Sequence, residues 1–284
     1  MKTPSYVFFG TGHFALPTLQ NLKDAGFLPS FIVTSPDKPV GRHQVITPPP
    51  VKVFADEHNI PTFQPTSLKT PEVLETLQQI ISQHEAVVVA DYGKIIPQNI
   101  LDLSPNGFLN IHPSLLPIYR GPTPVQATIL NNNRHTGVTI IKMDHLMDHG
   151  PIVAQTYVDI EDDVWPVSLS ELYTILSKHG AELLIQTLPD YIKGTIDLQE
   201  QDHDKATYVK MIDKADSEVF PQTEPVSSIY LKFQAYESWP GIFFMHNGKR
   251  VKIKAMNKDE ILRVTPEGKT ELDFKEYIKY HPLM

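Results

Sequence analysis

Three side chains in the middle of this 284-residue chain are of types that together could catalyse acyl transfer to an amine. Asn110 and His112 stand two residues apart in the apolar stretch FLNIH, and Asp148 follows the next apolar stretch. An amide N–H can stabilise an oxyanion, an imidazole can accept a proton near neutral pH, and a carboxylate can orient that imidazole. A single histidine is more often structural, so the prediction of a catalytic site depends on all three residues.

The elements that must position these residues are predicted from hydrophobic patterning. Residues i and i+2 of a strand share a face, so Asn110 and His112 project side by side, and Pro113 ends the strand directly behind them. Strand–helix alternation over the first two-thirds of the chain predicts an α/β fold with a Rossmann-like, mainly parallel sheet. Ligands of such sheets bind beyond the carboxyl ends of the strands. We therefore expect the three side chains to converge where consecutive strands end.

The domain organisation is predicted from a change in composition. Polarity rises between Pro189 and Thr207, and short strands with a hairpin turn at Asn247-Gly248 follow. The sequence predicts a catalytic domain over residues 1–189, a linker over 190–207 and a small β domain over 208–284.

The composition excludes several kinds of site. The chain has no cysteine, which excludes disulfides, cysteine catalysis and zinc–thiolate sites. A metal site is not expected, because His135, His145 and His149 lie close in sequence but lack the spacing and third ligand of a metal motif. The start of the chain has no signal-peptide pattern, and no apolar run reaches the roughly 20 residues of a membrane span. We expect a cytoplasmic protein.

The charge is unevenly distributed. The net charge is -8, yet the part from Tyr208 onward carries a net charge of +1. Its positive charge is concentrated in the stretch GKRVKIKAMNK. Such a stretch is typical of a surface that meets phosphates. The alternative is a solvated edge strand whose lysines prevent aggregation, and composition alone favours that alternative.

The stretch GTGHFA, between the first strand and the first helix, nearly matches a dinucleotide-binding motif. A nicotinamide site would also need an acidic residue at the end of the second strand, where Thr34 and Ser35 stand instead. A tight turn at a helix N-terminus can hold other anions or carbonyl groups. We therefore predict that Gly10, Gly12 and Phe14 contact substrate.

Three stretches resemble the formyltransferases that use 10-formyltetrahydrofolate: VVVADYGKIIP, NIHPSLLPIYRGPTPVQATI and TGVTIIKMDHLMDHGPIVAQ. The resemblance implies the formyltransferase fold, with a small C-terminal OB-like β-barrel domain, and no metal. It implies that Asn110, His112 and Asp148 are catalytic. It also implies a folate-contacting loop made of Ser114, Leu115, Leu116 and Pro117.

Other stretches are similar to the members of that family that formylate initiator methionyl-tRNA. They are GTGHFALPTL, DKPVGRHQVITPPPVKVFADEHNIPTFQP and YESWPGIFFMHNGKRVKIKAM. The similarity implies a tRNA partner, with contacts at Lys38, Arg42, Lys52, Lys249, Arg250 and Lys252. We expect a monomer. The C-terminal domain is shorter than is usual for those members. A sugar-nucleotide N-formyltransferase with the same catalytic core is the alternative.

Overall fold

A computed structural model describes residues 3–41 and 44–282 of the chain. The chain forms two compact units. The first unit contains Met1–Pro122, Thr136–Val158 and Tyr173–Tyr208, and the second contains Thr123–His135, Asp159–Leu172 and Val209–Met284.

A seven-stranded sheet is the centre of the first unit. Its order is β5-β2-β1-β6-β7-β8-β9, and its strands are β1 (Tyr6–Gly10), β2 (Phe31–Val33), β5 (Thr62–Phe63), β6 (Ala86–Ala90), β7 (Phe108–His112), β8 (His135–Lys142) and β9 (Ile152–Asp159). The strands β1, β2, β5, β6 and β7 pair in parallel. Every residue of β1 and β6 is buried, as expected of apolar strands covered on both faces of a parallel sheet.

The remaining elements of the chain are helices and two small sheets. A hairpin follows β2 and consists of β3 (Lys38–Val40) and β4 (Val45–Thr47). The α-helices are α1 (Ala15–Asp24), α2 (Pro50–Glu57), α3 (Pro71–Ile81), α4 (Gln98–Leu101), α5 (Pro124–Leu130), α6 (Leu169–Ile192), α7 (Val226–Ala235) and α8 (Phe274–Tyr280). Short 3₁₀ helices cover His203–Lys205 and Lys214–Ser217.

The two faces of the large sheet have different covers. On the face that carries Phe9 and Phe108, a cluster of buried apolar residues includes Leu77 and Ile81 of α3. The other face carries Ile111, and here Gly180 of α6 comes so close that a Cβ would lie 2.9 Å from Ile111 Cγ2. Since Asn110 and His112 alternate with Ile111 along β7, they point away from α6.

Strand β8 runs antiparallel to β7, with His112 opposite Thr139 and Leu109 opposite Lys142. The carboxyl end of β8 therefore lies beside the start of β7, at the far side of the sheet from His112. The expectation that Asp148 follows a strand ending beside His112 is wrong in this respect. Apolar patterning does not distinguish a parallel from an antiparallel neighbour when both are buried.

The second unit contains a four-stranded antiparallel sheet in the order β10 (Phe243–His246), β11 (Lys249–Met256), β12 (Ile261–Pro266) and β13 (Leu272–Asp273). The predicted hairpin turn is confirmed: Asn247 and Gly248 have φ values of 49° and 72°, the left-handed conformation that two-residue hairpin turns need. The predicted fold class, a Rossmann-like mainly parallel sheet with a small C-terminal OB-like β domain, is confirmed.

The segment predicted as a linker is closely held by the first unit. Gln199 and Ile152 exchange two backbone hydrogen bonds of 2.7 and 2.9 Å, and Gln201 is buried. The limits of the domains stay a prediction. None of the helices in the described residues combines the length and apolar character needed to cross a bilayer.

Gly137 of β8 offers a test of how tightly the sheet is packed. A Cβ at this position would lie 2.2 Å from Thr156 O and 2.5 Å from Leu115 Cδ2. We expect Gly137→Ala to lower the free energy of unfolding by about 1–3 kcal/mol, the usual cost of overpacking. Urea unfolding measures the change, with the exposed Glu75→Ala as control. Equal stability of the two variants would contradict this account of the packing.

Candidate active site

The structure brings the three predicted catalytic side chains together. Asn110 Nδ2 donates a hydrogen bond of 3.2 Å to Asp148 Oδ1, and His112 Nδ1 lies 3.7 Å from Asp148 Oδ2. The side chains of His112 and Asp148 are only 5% and 13% exposed. Water therefore screens the interactions between them less than it would at an open surface.

A loop that folds back brings Asp148 to this position. The two ends of this loop lie side by side, because Lys142 N donates to Pro151 O over 2.9 Å. Its first residue is held beside the start of β7, where Met143 N donates to Phe108 O. Gly150 permits this closure, because a Cβ there would lie 1.9 Å from Lys142 O. Between these ends, the loop carries Asp148 back to Asn110 and His112.

The hydrogen bonds of His112 identify which ring nitrogen faces the site. His112 Nε2 lies 3.0 Å from the main-chain oxygen of Tyr119, and a carbonyl can only accept, so Nε2 carries a proton. In the neutral imidazole Nδ1 is then unprotonated, and it is the nitrogen beside Asp148. His112 can accept a proton at Nδ1, and the carboxylate of Asp148 stabilises the cation that results.

The carboxylate of Asp148 is held from a second direction by Gly121, whose N–H donates to Oδ2 over 2.7 Å. Asp148 has a φ of 49°, a left-handed conformation that Asp and Asn adopt more readily than most residues. The second N–H of the Asn110 amide has no hydrogen-bond partner within the described ranges, so it can serve a ligand.

Asp91 is a further residue at this edge of the sheet, and its sequence context gave no sign of this role. Because β1, β6 and β7 are parallel, Asp91 and the turn after Gly10 lie at the same edge as His112. Thr11 N and Gly12 N donate to Asp91 O, and Phe14 N donates to its carboxylate over 3.0 Å. A Cβ on Gly12 would lie 2.0 Å from Asp91 Oδ2, so a side chain there would displace the Asp91 carboxylate.

The predicted substrate-contacting residues occupy this turn, but they do not offer equivalent surfaces. Gly10 is buried at the end of β1, and the Phe14 side chain is 1% exposed, with its ring 6.4 Å from that of Tyr173. Only Gly12 keeps a partly exposed surface among these three residues. Thr34 and Ser35, at the end of β2, hydrogen-bond with Thr11, which agrees with the argument against a nicotinamide site.

The predicted folate-contacting loop is anchored mainly through its backbone. Ser114 and Leu116 are buried, whereas Leu115 and Pro117 keep part of their surface. Thr139 Oγ1 donates to Ser114 O over 2.7 Å and accepts from Leu116 N over 3.0 Å. Leu115 and Pro117 are therefore the members of this loop that can present apolar surface to a ligand.

The predicted tRNA-contacting residues are distributed over both units. In the first unit Lys38 is exposed on β3, Lys52 of α2 is paired with Asp56, and Arg42 lies outside the described residues. In the second unit Lys249, Arg250 and Lys252 are exposed on β11.

Strand β11 lies between β10 and β12. The alternative explanation of its lysines, protection of an exposed edge strand, is therefore wrong. The Arg250 guanidinium lies 4.1 Å from the centre of the Phe243 ring, and a shallow groove beside it is lined by Met245, Lys252 and Lys269.

The described ranges contain no group of three or more His, Cys, Asp or Glu residues arranged to hold a metal ion. Near the predicted site, His149 Nδ1 lies 2.7 Å from Asp144 Oδ2, and the His149 ring stacks on His203 at 4.1 Å. A contact with one carboxylate and a ring contact therefore account for the position of His149.

The fold and the site define a class of enzyme, and comparison with known proteins identifies it. Residues 5–188 match the formyl transferase family, and residues 211–263 match the formyl transferase C-terminal domain. The chain belongs to the formyl transferase family.

Its relatives include two methionyl-tRNA formyltransferases. That of Chloroflexus aggregans is 43% identical over 87% of this chain and 78% of its own length. That of Caldicellulosiruptor saccharolyticus is also 43% identical, over 88% of this chain and 78% of its own length.

Solved structures of other formyltransferases are more distant. A sugar N-formyltransferase from a Shewanella species has a TM-score of 0.65 at 18% identity, covering 89% of this chain and 98% of its own. The phosphoribosylglycinamide formyltransferase of Bacillus halodurans has a TM-score of 0.51 at 29% identity, covering 65% of this chain and 92% of its own. The first of these likenesses concerns the fold alone.

The position of Asp91 gives a prediction about stability and pH. Burial raises the pKa of the Asp91 carboxyl, and the hydrogen bond from Phe14 opposes that rise. Asp91 as a whole residue is nevertheless exposed, so water offsets part of this effect and the rise in the pKa is smaller than full burial would produce. Because the pKa is higher in the folded protein, folding holds the proton of Asp91 more tightly than the unfolded chain does. The resulting stability is fully present below the unfolded pKa of about 3.9, and it is lost as pH rises through the folded pKa.

We therefore expect Asp91→Asn to gain stability relative to the wild type as pH increases from about 4 to about 8. Asparagine does not titrate, tolerates the φ of 48° and can still accept from Phe14 N. Urea unfolding at the two pH values measures the difference. A constant difference, or one that moves the other way, would contradict the prediction.

Proposed function

We propose that this protein transfers the formyl group of 10-formyltetrahydrofolate to the α-amino group of methionine on initiator tRNA, in the cytoplasm and as a monomer. The identity of 43% to methionyl-tRNA formyltransferases over most of the chain carries the proposal. The alternative acceptor, an amino-sugar nucleotide, is not favoured, because the sugar N-formyltransferase from Shewanella is only 18% identical.

The proposed reaction starts with the neutral amine of methionine. Its nitrogen attacks the formyl carbon, and a C–N bond forms as the carbonyl oxygen takes up negative charge. The free N–H of Asn110 stabilises this oxyanion, an interaction that contributes roughly 3 kcal/mol in comparable sites. The hydrogen bond from Asn110 to Asp148 fixes the plane of the amide, so that N–H does not need to be oriented during the reaction.

The proton is the second requirement. The attacking amine loses one proton, and N10 of the folate gains one when the bond between N10 and the formyl carbon breaks. His112 can take and return this proton at Nδ1, directly or through a water molecule, while Nε2 stays bonded to Tyr119. Asp148 stabilises the transient imidazolium.

The donor binds, in this proposal, along the apolar surfaces of Leu115 and Pro117. A flat heterocycle is suited to such a wall because the wall's backbone is already held by Thr139 and by Gln155 Nε2, which donates to Leu116 O over 3.0 Å. The turn around Gly12 contacts the acceptor end. No metal takes part in this mechanism.

The catalytic assignment is tested by replacing each of its three residues. We expect Asn110→Ala, His112→Ala and Asp148→Asn each to lower kcat by about 100-fold or more. Asparagine is chosen at position 148 because alanine would be strained at a φ of 49°. Formylation of methionyl-tRNA from labelled donor gives kcat, and circular dichroism checks folding. Near-normal turnover in all three variants would reject the assignment.

The acceptor is tested in the same assay with an amino-sugar nucleotide beside methionyl-tRNA. We expect labelled product only on the tRNA. Product on the sugar alone would replace the proposed function with the alternative.

The tRNA contacts are proposed to include Lys249, Arg250 and Lys252 in the second unit and, as a separate group, Lys38, Arg42 and Lys52 in the first. We expect replacement of the three β11 residues by Gln to weaken tRNA binding. A plot of the logarithm of the tRNA binding constant against the logarithm of the salt concentration should also become less steep. Its slope should change by up to about 0.9 for each phosphate that is no longer neutralised. The KM for the folate donor should not change.

The matched control for this surface replaces three exposed lysines elsewhere, Lys69, Lys178 and Lys193, by Gln. It removes the same number of positive charges and leaves β11 intact. Equal effects of the two triple variants on tRNA binding would exclude the proposed surface.

A further inference from the structure

Arg120 is the largest fully buried side chain among the described residues, with 1% of its surface exposed. Its Nε and Nη2 both donate to Gln201 Oε1, over 3.2 and 2.7 Å. Nη1 donates to the Tyr208 hydroxyl over 3.1 Å, and Nη2 also donates to His203 Nδ1 over 2.8 Å. Each of the three guanidinium nitrogens therefore has at least one acceptor, and none of these acceptors is a carboxylate.

A buried cation of this kind is a poor source of stability. Removing a guanidinium from water is costly, and partners without negative charge recover only part of that cost. Hydrophobic side chains of similar volume would often serve stability as well. The arrangement is therefore better explained by what Arg120 holds in place.

Arg120 fixes the orientation of the Gln201 amide. Because a guanidinium only donates, the oxygen of the amide must face Arg120 and its NH₂ group must face the other way. On that side, Gln201 Nε2 donates to the main-chain oxygen of Asp148 over 2.9 Å and to that of Gly150 over 2.7 Å. An amide rotated by 180° would place oxygen against both carbonyls.

Asp148 is consequently held at both of its ends. Gln201 binds its main-chain oxygen, and the N–H of Gly121, the residue after Arg120, binds its carboxylate. Asp148 has a left-handed backbone conformation and lies in a loop outside the helices and strands. These side-chain and main-chain contacts therefore hold it in place.

The Gln201 side chain is not needed merely to attach its own segment to the first unit. That segment is attached by backbone pairing of Gln199 with Ile152. It is attached again by Arg120 N, which donates to Thr207 O over 2.8 Å, and by Tyr119 N, which donates to Thr207 Oγ1 over 2.8 Å.

We propose that Arg120 and Gln201 are positioning residues for the formyl-transfer reaction: Arg120 orients the Gln201 amide, and Gln201 holds Asp148 against Asn110 and His112. This inference rests on the proposed function for its kinetic consequence. Neither residue touches the reacting atoms in this assignment, and both act through Asp148.

The decisive variant is Gln201→Glu. Glutamate keeps oxygen acceptors for Arg120, so the buried cation stays paired, but an ionised carboxylate has no N–H for the carbonyls of Asp148 and Gly150. We expect kcat to fall on the order of 10-fold or more, since small misplacements of a catalytic group cost up to about 100-fold. The KM values for donor and tRNA should stay within about threefold, as expected when the substitution disturbs positioning rather than binding.

The same substitution in the Asp148→Asn protein separates positioning from general damage. If Gln201 acts through Asp148, Gln201→Glu should change kcat by less than about twofold in that background. An equal loss in both backgrounds would overturn the proposal, as would a kcat within about twofold of the wild type. The control is Gln83→Glu, which makes the same chemical change on the surface.

Arg120→Lys is the second variant, and its kcat should fall less than that of Gln201→Glu because lysine keeps one donor for Gln201.

A measurement without turnover makes the two proposals separately testable. The amide resonance of Gly121, which donates to Asp148 Oδ2, can be followed by NMR after selective glycine labelling with ¹⁵N. We expect Gln201→Glu to move it most of the way towards its position in Asp148→Asn, and Gln83→Glu to leave it unchanged. An unmoved resonance in Gln201→Glu overturns the positioning role even if the enzyme is active. A shifted resonance in Gln201→Glu, when the wild-type protein does not formylate methionyl-tRNA, rejects only the proposed function.

Discussion

The hydrogen bonds around Asp148 are the constraint on which the rest of the site depends. One carboxylate meets an amide from β7, an imidazole at the end of β7 and a main-chain N–H from the loop that follows. These groups all lie between Asn110 and Gly121, whereas Asp148 comes from a later loop that has no regular secondary structure of its own. Its position is therefore set by side-chain and main-chain contacts rather than by the sheet. In the proposed chemistry, the same carboxylate both fixes the amide that stabilises the oxyanion and stabilises the imidazolium.

The sheet supplies fixed strand ends, which an irregular loop cannot. Three parallel strands, β1, β6 and β7, end at one edge, and this edge holds the turn around Gly12, the carboxylate of Asp91 and the imidazole of His112. Because β8 is antiparallel to β7, its carboxyl end lies beside the start of β7, away from that edge. The loop carrying Asp148 then returns from there to His112. Glycine is needed where segments come closest. A Cβ added at Gly12, Gly150 or Gly180 would collide with a neighbouring segment.

Much of this arrangement could be predicted from sequence because it follows from local rules. The alternation of apolar and polar residues placed Asn110 and His112 on one face, and the Asn247-Gly248 pair located the hairpin before the basic strand. The direction of β8 could not be predicted, since a buried strand has the same composition whichever way it runs. Asp91 lies in the stretch VVVADYGKIIP that carries the resemblance, but its role was not indicated there, and Gln201 gave no signal, because each acts through contacts with residues distant in sequence. Arg120 was recognisable within the resemblance, but its partners lie more than 80 residues further along the chain.

The attachment of residues 199–208 to the first unit also has a consequence for how this enzyme can be divided. A fragment ending at residue 189 would contain Asn110, His112 and Asp148, and it would satisfy a search for catalytic residues. It would lack Gln201, His203 and Tyr208, so the Arg120 guanidinium would lose the side chains that accept its hydrogen bonds. The smallest fragment that retains the supported site therefore extends to Tyr208. Exchange of C-terminal domains between relatives should join the two chains beyond that residue, so that each catalytic part keeps its own Arg120–Gln201 pair.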